Sequence, residues 1–183
     1  MNFAWAKPAL TAVAILALGT VAASCGRNDN AGAPAVADEE AQKAAQEFLI
    51  KNGKEEGVVT TPSGLQYKVV ESGPAGGTSP DSNDLVRVHY EGTLTDGTVF
   101  DSSFERGTPA VFSPDAVVPG WTEALQLMKP GDEWLLYLPP ALGYGDRQAG
   151  PIPANSVLVF RLKMLDVAAV PGGERNSVRQ ANG

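Results

Sequence analysis

One cysteine and one histidine, Cys25 and His89, are all that this chain of 183 residues offers to thiol or imidazole chemistry. A single cysteine closes no intramolecular disulfide. A zinc site of the usual Cys/His type needs several such ligands and cannot be assembled from one of each, so no metal site is expected. Cys25 stands in the leader region, far from any pocket in which it could pair with His89 as a nucleophile. Basic residues are also scarce. Lys and Arg number 14 against 21 Asp and Glu, for a net charge of -7. No run of Lys or Arg offsets that balance. Nucleic acid needs a basic patch to meet its phosphates, so it is not an expected partner. What is plentiful is apolar content (43%), glycine (20) and proline (14). This composition supports a proper core in one turn-rich domain with appendages.

Residues 1–24 have the makeup of a secretory signal. Lys7 opens it, and Pro8 to Ala23 is almost wholly apolar. That run is short for a spanning helix, which needs about 20 apolar residues. The small residues Ala22, Ala23 and Ser24 suit a signal peptidase, and Cys25 follows. Val21 to Cys25 resembles a bacterial lipobox, in which the cysteine becomes the lipidated N-terminus. Ordinary signal cleavage with a free thiol, or a retained anchor, are the other readings. Residues 25–37 are poor in bulky side chains and read as a flexible tether.

Residues 38–61 read as an N-terminal helix with its lead-in. Asp38, Glu39 and Glu40 favour a helix N-terminus. Ala41, Ala44, Ala45, Phe48 and Leu49 make one apolar face, and Asn52-Gly53 supplies the stop. That face either packs on the domain's own sheet or pairs two copies. From Pro62 onward the period changes to two. Leu65 to Val70 and Leu85 to Leu94 alternate as strands, with Val86, Val88 and Tyr90 on one side and Arg87, His89 and Glu91 on the other. Thr95-Asp96-Gly97-Thr98 reads as a hairpin turn in which Asp-Gly supplies positive φ angles. Trp134 to Leu138 and Val157 to Leu165 are further strands. Within this part only Gly120 to Met128 looks helical, with Pro119 fitting its first turn. The expected fold is α+β, an antiparallel sheet of about five strands wrapped around one short helix. It spans 62–167, and 168–183 read as a disordered tail.

Five collinear segments then carry a resemblance. Val88 to Leu94 with Asp96 to Ser103, Val118 to Leu125, Met128 to Asp132, Pro139 to Gly145, and Ile152 to Phe160 together resemble FKBP-type peptidyl-prolyl cis-trans isomerases. Upstream, Phe48-Leu49 and Thr61 to Tyr67 resemble secreted bacterial members, the macrophage infectivity potentiator group. The resemblance implies a prolyl pocket with Tyr90, Phe100, Asp101, Trp121, Tyr144 and Phe160 as its catalytic set. Phe112, Val117, Val118 and Ile152 are implied as substrate-binding. Trp121 is implied as the floor under the proline ring, the Val118 amide and Tyr144 hydroxyl as donors, and Asp101 as the partner of Tyr90. It further implies proline-containing polypeptides as substrates, macrolide-type inhibitors and no cofactor. Each aromatic has a plain reading as core, and His89 reads as a surface residue. The loop Asp146 to Gly150 and Pro151 depart from the family pattern, which bears on substrate preference. Together with the leader, this describes an isomerase of exported proteins, tethered to the envelope membrane through Cys25. A noncatalytic proline-binding or chaperone module on the same fold is the alternative. An adhesive lipoprotein rests on β-rich composition alone.

Overall fold

The structure, a computed structural model, describes residues 33–173. The expected signal at 1–24, Cys25, the first part of the tether and the tail beyond Gly173 lie outside the described residues. No helix among the described residues is long and apolar enough to cross a membrane.

Among the described residues, two helices and seven strands make up the α+β architecture. Helix α1 is Ala33–Asn52, followed by β1 (Val58–Thr60), β2 (Gln66–Glu71) and β3 (Leu85–Thr93). Strands β4 (Val99–Ser102) and β5 (Ala110–Phe112) precede a 3-10 turn, Pro114–Ala116, and helix α2 (Pro119–Leu127). Strands β6 (Glu133–Leu138) and β7 (Leu158–Ala168) follow, with a second 3-10 turn, Pro140–Leu142, between them. The sheet is antiparallel in the order β1-β2-β6-β7-β3-β4, and β5 also pairs with β3. The nine residues of β3 pair with β7 along one edge, so β4 and β5 share the other edge end to end. The break between them opens the sheet beside its inner face.

Side-chain alternation explains the layering. In β3 the residues Val86, Val88 and Tyr90 are buried while Leu85 and Arg87 are exposed. Leu136 and Leu138 of β6 and Leu158, Phe160, Leu162 and Met164 of β7 join them in the core. Helix α2 covers this face. Trp121, Ala124, Leu125 and Met128 recur at three- and four-residue spacing, and all four are buried. Full burial of each large side chain contributes roughly 1.5–3 kcal/mol. Pro119 occupies the first turn, where a missing N–H costs nothing. Pro130 follows two residues beyond Met128, where the helix has ended.

Three boundaries differ from the sequence-based expectation. Helix α1 begins at Ala33 rather than Asp38. Alanine is the best helix former and proline is accepted at a helix start, so these residues extend the helix into the expected tether. Strand β1 lies ahead of Pro62, and with β5 it raises the strand number from about five to seven. Both are three-residue strands, too short for an alternating pattern to register. Residues just past β7 are tied down as well. The Val170 N–H donates to Asp84 Oδ1 (2.7 Å) and Asn83 Nδ2 donates to the Pro171 carbonyl (3.2 Å).

Helix α1 packs on the sheet of its own chain. Phe48 meets Tyr137 with ring centroids 6.2 Å apart, and Ala45 is buried. At its C-terminal end, Gln66 Nε2 donates to the Leu49 carbonyl (2.9 Å) and Asn52 Nδ2 donates to Gln66 Oε1 (2.8 Å). The Leu49 carbonyl also accepts from the Gly53 N–H (2.9 Å), so Gln66 adds a second donor to it at the helix end. The β3–β4 turn holds a single positive φ, at Gly97 (87°), and Asp96 is not left-handed. The Gly97 N–H bonds to Leu94 O (3.0 Å) and the Leu94 N–H to Thr98 O (2.9 Å), a type I turn closed by a glycine bulge.

Candidate active site

Between α2 and the opened edge of the sheet lies a cavity of about 650 Å³. All ten residues that the sequence resemblance placed in a pocket line it. Tyr90 comes from β3, Phe100 and Asp101 from β4, and Phe112 from β5. Val117 and Val118 join the 3-10 turn to α2, and Trp121 comes from α2. Phe160 reaches in from β7, while Tyr144 and Ile152 come from the loop between β6 and β7. Ala116, Ala149 and Pro151 complete the lining.

Trp121, only 4% exposed, is the ring around which the others gather. Three rings stand nearly perpendicular to it: Tyr90 at 5.3 Å and 84°, Phe112 at 5.6 Å and 90°, and Phe160 at 5.2 Å and 81°. Phe100 meets Phe160 edge-on at 5.6 Å and 87°. Edge-to-face pairs contribute roughly 0.5–1.5 kcal/mol each beyond burial, and a set of them leaves few rotamers open. The buried Trp121 Nε1 has no hydrogen-bond partner among the described residues. Ring packing, not a hydrogen bond, therefore fixes the indole.

Backbone spacing is part of this arrangement. At Gly92 an added Cβ would lie 2.5 Å from the Phe100 ring and 2.7 Å from the Phe160 ring. Only a residue without a side chain lets both rings lie on the β3 backbone. The loop wall is likewise defined. Ala149 and Ile152 exchange N–H···O bonds of 2.9 and 3.0 Å, with Gly150 left-handed at 57° between them. The Asn155 N–H donates to Gly145 O (2.8 Å), holding the segment beside Tyr144. Tyr144 itself is 44% exposed and stands at the rim.

One corner of the cavity is polar. The Tyr90 hydroxyl donates to Asp101 Oδ2, and Arg106 Nη1 donates to Asp101 Oδ1. Arg106 Nη2 also reaches the Tyr90 oxygen at 3.0 Å, with its guanidinium carbon 5.6 Å from the ring centroid. Burial, then the Asp101 carboxylate, pushes the Tyr90 phenol above its ordinary value. For Asp101 burial acts upward, but the hydrogen bonds from Tyr90 and Arg106 outweigh it and hold the carboxyl below its ordinary range. Near neutral pH the corner is thus an ion pair bridged by a neutral phenol. Sequence reading missed Arg106. It sits in an irregular turn five residues beyond Asp101, where no periodicity links the two.

His89 is not a plain surface residue. Its ring stacks on Phe104 at 4.8 Å and 17°, and Nδ1 lies 3.0 Å from Ser103 Oγ. It is half-buried on the face of β3 opposite Tyr90. Cys25 lies outside the described residues.

Known proteins of the same pattern were found by sequence and by structure. A family model described as "FKBP-type peptidyl-prolyl cis-trans isomerase" matches residues 76–165. A second, "Domain amino terminal to FKBP-type peptidyl-prolyl isomerase", matches residues 19–69. The chain is 52% identical over 128 residues to the FKBP-type peptidyl-prolyl cis-trans isomerase FkpA of Aeromonas hydrophila, covering 70% of this chain and 47% of that protein. It is 46% identical over 130 residues to the outer membrane protein MIP of Legionella longbeachae, covering 70% and 55%. It thus spans about half the length of these curated relatives. The crystal structure of FkpA from Escherichia coli superposes with a TM-score of 0.70 at 43% identity, covering 75% of this chain and 63% of that one. A peptidyl-prolyl cis-trans isomerase from Pseudomonas syringae pv. tomato gives 0.67 at 36% identity, covering 72% and 96%.

Proposed function

The chain belongs to the FKBP-type peptidyl-prolyl cis-trans isomerase family, and from that premise we propose that it accelerates rotation about X–Pro bonds in exported proteins. The observation that carries this reading is the convergence of Tyr90, Phe100, Phe112, Trp121 and Phe160, from five different elements, on one cavity. The barrier to be lowered is roughly 18–20 kcal/mol, because resonance holds the amide planar. Uncatalysed exchange takes tens to hundreds of seconds. At the top of the barrier the resonance is broken and the carbonyl is less polarised than in either planar form. Water stabilises the planar amide. An aromatic cleft withholds that water and favours the twisted one. Acceleration follows only because the twisted state binds better than both ground states.

In this reading the prolyl ring rests on Trp121, with Tyr90, Phe100 and Phe160 around the ring and the preceding carbonyl. Phe112, Val117 and Ile152 close the apolar walls. Val118 is the residue ahead of α2, where an N–H has no intrahelical acceptor, and it is offered to a substrate carbonyl. The Tyr144 hydroxyl donates from the rim. Asp101, neutralised by Arg106, fixes the Tyr90 ring rather than moving a proton. Macrolide-type inhibitors would compete for the same floor.

The wider reading places residues 62–167 as the isomerase domain of an envelope protein, exported by residues 1–24 and held at the membrane by a lipid on Cys25. Mass spectrometry of the N-terminal peptide from cells tests the anchor: a diacylglyceryl cysteine is expected, and an unmodified N-terminus contradicts it. A protease-coupled assay on a prolyl peptide tests the activity. Acceleration proportional to enzyme is expected, and none at micromolar folded protein overturns the isomerase reading.

A further inference from the structure

Thr122 is a poor choice for a helix on propensity alone, since a β-branched side chain loses rotamer freedom there. It does not line the cavity. Its hydroxyl instead leaves the helix and donates to the Pro114 carbonyl at 2.6 Å, with the Val118 carbonyl farther off at 3.4 Å. Pro114 is fully buried and opens the 3-10 turn that leads into the pocket wall. The middle of that turn is held to another part of the chain, where the Asp115 N–H donates to Ser82 O at 3.0 Å. Neither the turn nor α2 has a side-chain cap of its own. The segment between the turn and α2 is therefore tied to the helix at two points: at Val118, whose carbonyl accepts from the Trp121 and Thr122 N–H groups (2.9 and 3.1 Å), and at Pro114, where the Thr122 hydroxyl is the side-chain tie that spans Ala116 and Val117.

We propose that Thr122 is a positioning residue for the prolyl pocket: its bond to Pro114 sets where Val117 and the Val118 amide stand over Trp121. This rests on the isomerase reading above. The reacting bond never touches Thr122. The effect passes through the wall, and a shift of about 1 Å in such a wall is enough to weaken alignment.

The test compares the full chain with Thr122→Val and Thr122→Ser, at a temperature well below the thermal unfolding of each. Thr122→Val keeps the shape and removes the donor. Thr122→Ser keeps the donor. The expected result is a fall in kcat/KM on a prolyl peptide of at least about five-fold for Thr122→Val, equivalent to ~1 kcal/mol at 1.36 kcal/mol per tenfold. Thr122→Ser is expected within about two-fold of the wild type. The Val118 amide resonance should move in Thr122→Val and return in Thr122→Ser, a change that loss of stability alone does not produce. Unchanged activity in Thr122→Val, or an equal loss in Thr122→Ser, overturns the proposal. Should Thr122→Val not fold, Thr122→Ala removes the same hydroxyl with a better helix former. An inactive wild type would refute the isomerase reading instead, and the Val118 resonance would still decide the positioning.

Discussion

Gly92→Ala is the sharpest perturbation of the pocket that substitutes none of its lining side chains. The new methyl would stand 2.5 Å from the Phe100 ring and 2.7 Å from the Phe160 ring. Ordinary carbon–carbon contact is about 3.5–4.0 Å, so Phe100 must withdraw by roughly 1 Å and Phe160 by slightly less. Phe160 cannot yield alone, because it packs edge-on against both Trp121 and Phe100. Overpacking of this kind costs about 1–3 kcal/mol. For a domain of this size that lowers Tm by about 4–12 °C. A displacement of about 1 Å at a reacting site can cost on the order of 100-fold, so a loss of at least about ten-fold in kcat/KM is expected. Gly97→Ala is the control. No atom lies within 4 Å of its added Cβ, but its φ of 87° is left-handed. It should lose about 1–2 kcal/mol of stability to backbone strain while keeping activity. Calorimetry and the isomerase assay, run on both variants, separate the two mechanisms. If Gly92→Ala keeps activity within two-fold and its Tm within about 1 °C, the reasoning about the rings is wrong.

Two further outcomes follow from the polar contacts. Arg106→Met should free the Tyr90 ring, reduce kcat/KM by less than about ten-fold given how exposed the pair is, and raise the Asp101 pKa. Asp101 is held below its ordinary value, so its stabilisation is present above about pH 3.9 and lost as pH falls through the folded value below that. The stability gap between wild type and Arg106→Met should therefore close below about pH 3.9 in urea titrations, and a constant gap counts against the assignment. Gln66→Ala should leave Asn52 Nδ2 without its buried acceptor and the Leu49 carbonyl with only the Gly53 N–H, at about 1–3 kcal/mol. Hydrogen exchange should then lose protection over residues 45–52 without a change in isomerase rate. Unchanged protection would mean that packing of Phe48 on Tyr137, not Gln66, docks the helix.

Much of this architecture is legible in the sequence because two periods are written cleanly. The alternation around Val86, Val88 and Tyr90 and the spacing of Trp121, Leu125 and Met128 each follow from one buried face. The ten pocket positions came from ordered motifs, since a Phe in a strand looks the same in a core as in a cleft. What was not legible has physical causes. Strands β1 and β5 are shorter than the pattern that would reveal them. Asp96 needs no positive φ once Gly97 forms a bulge. Arg106 meets Asp101 across an irregular turn, and Gln66 reaches Leu49 and Asn52 across 17 and 14 residues of chain. His89 turns outward as alternation requires, yet Phe104 folds over it.

The account's central claim is that an apolar cleft, not a titrating group, lowers the rotation barrier. NMR exchange spectroscopy on an X–Pro peptide measures that rotation directly, with no protease present. Between pH 6 and 8 neither Asp101, held low, nor Tyr90, held high, changes protonation. The account predicts an exchange rate that rises with catalytic amounts of the chain and stays flat across that window. No acceleration by the folded protein, or a bell-shaped profile of the kind acid–base catalysis gives, would contradict it.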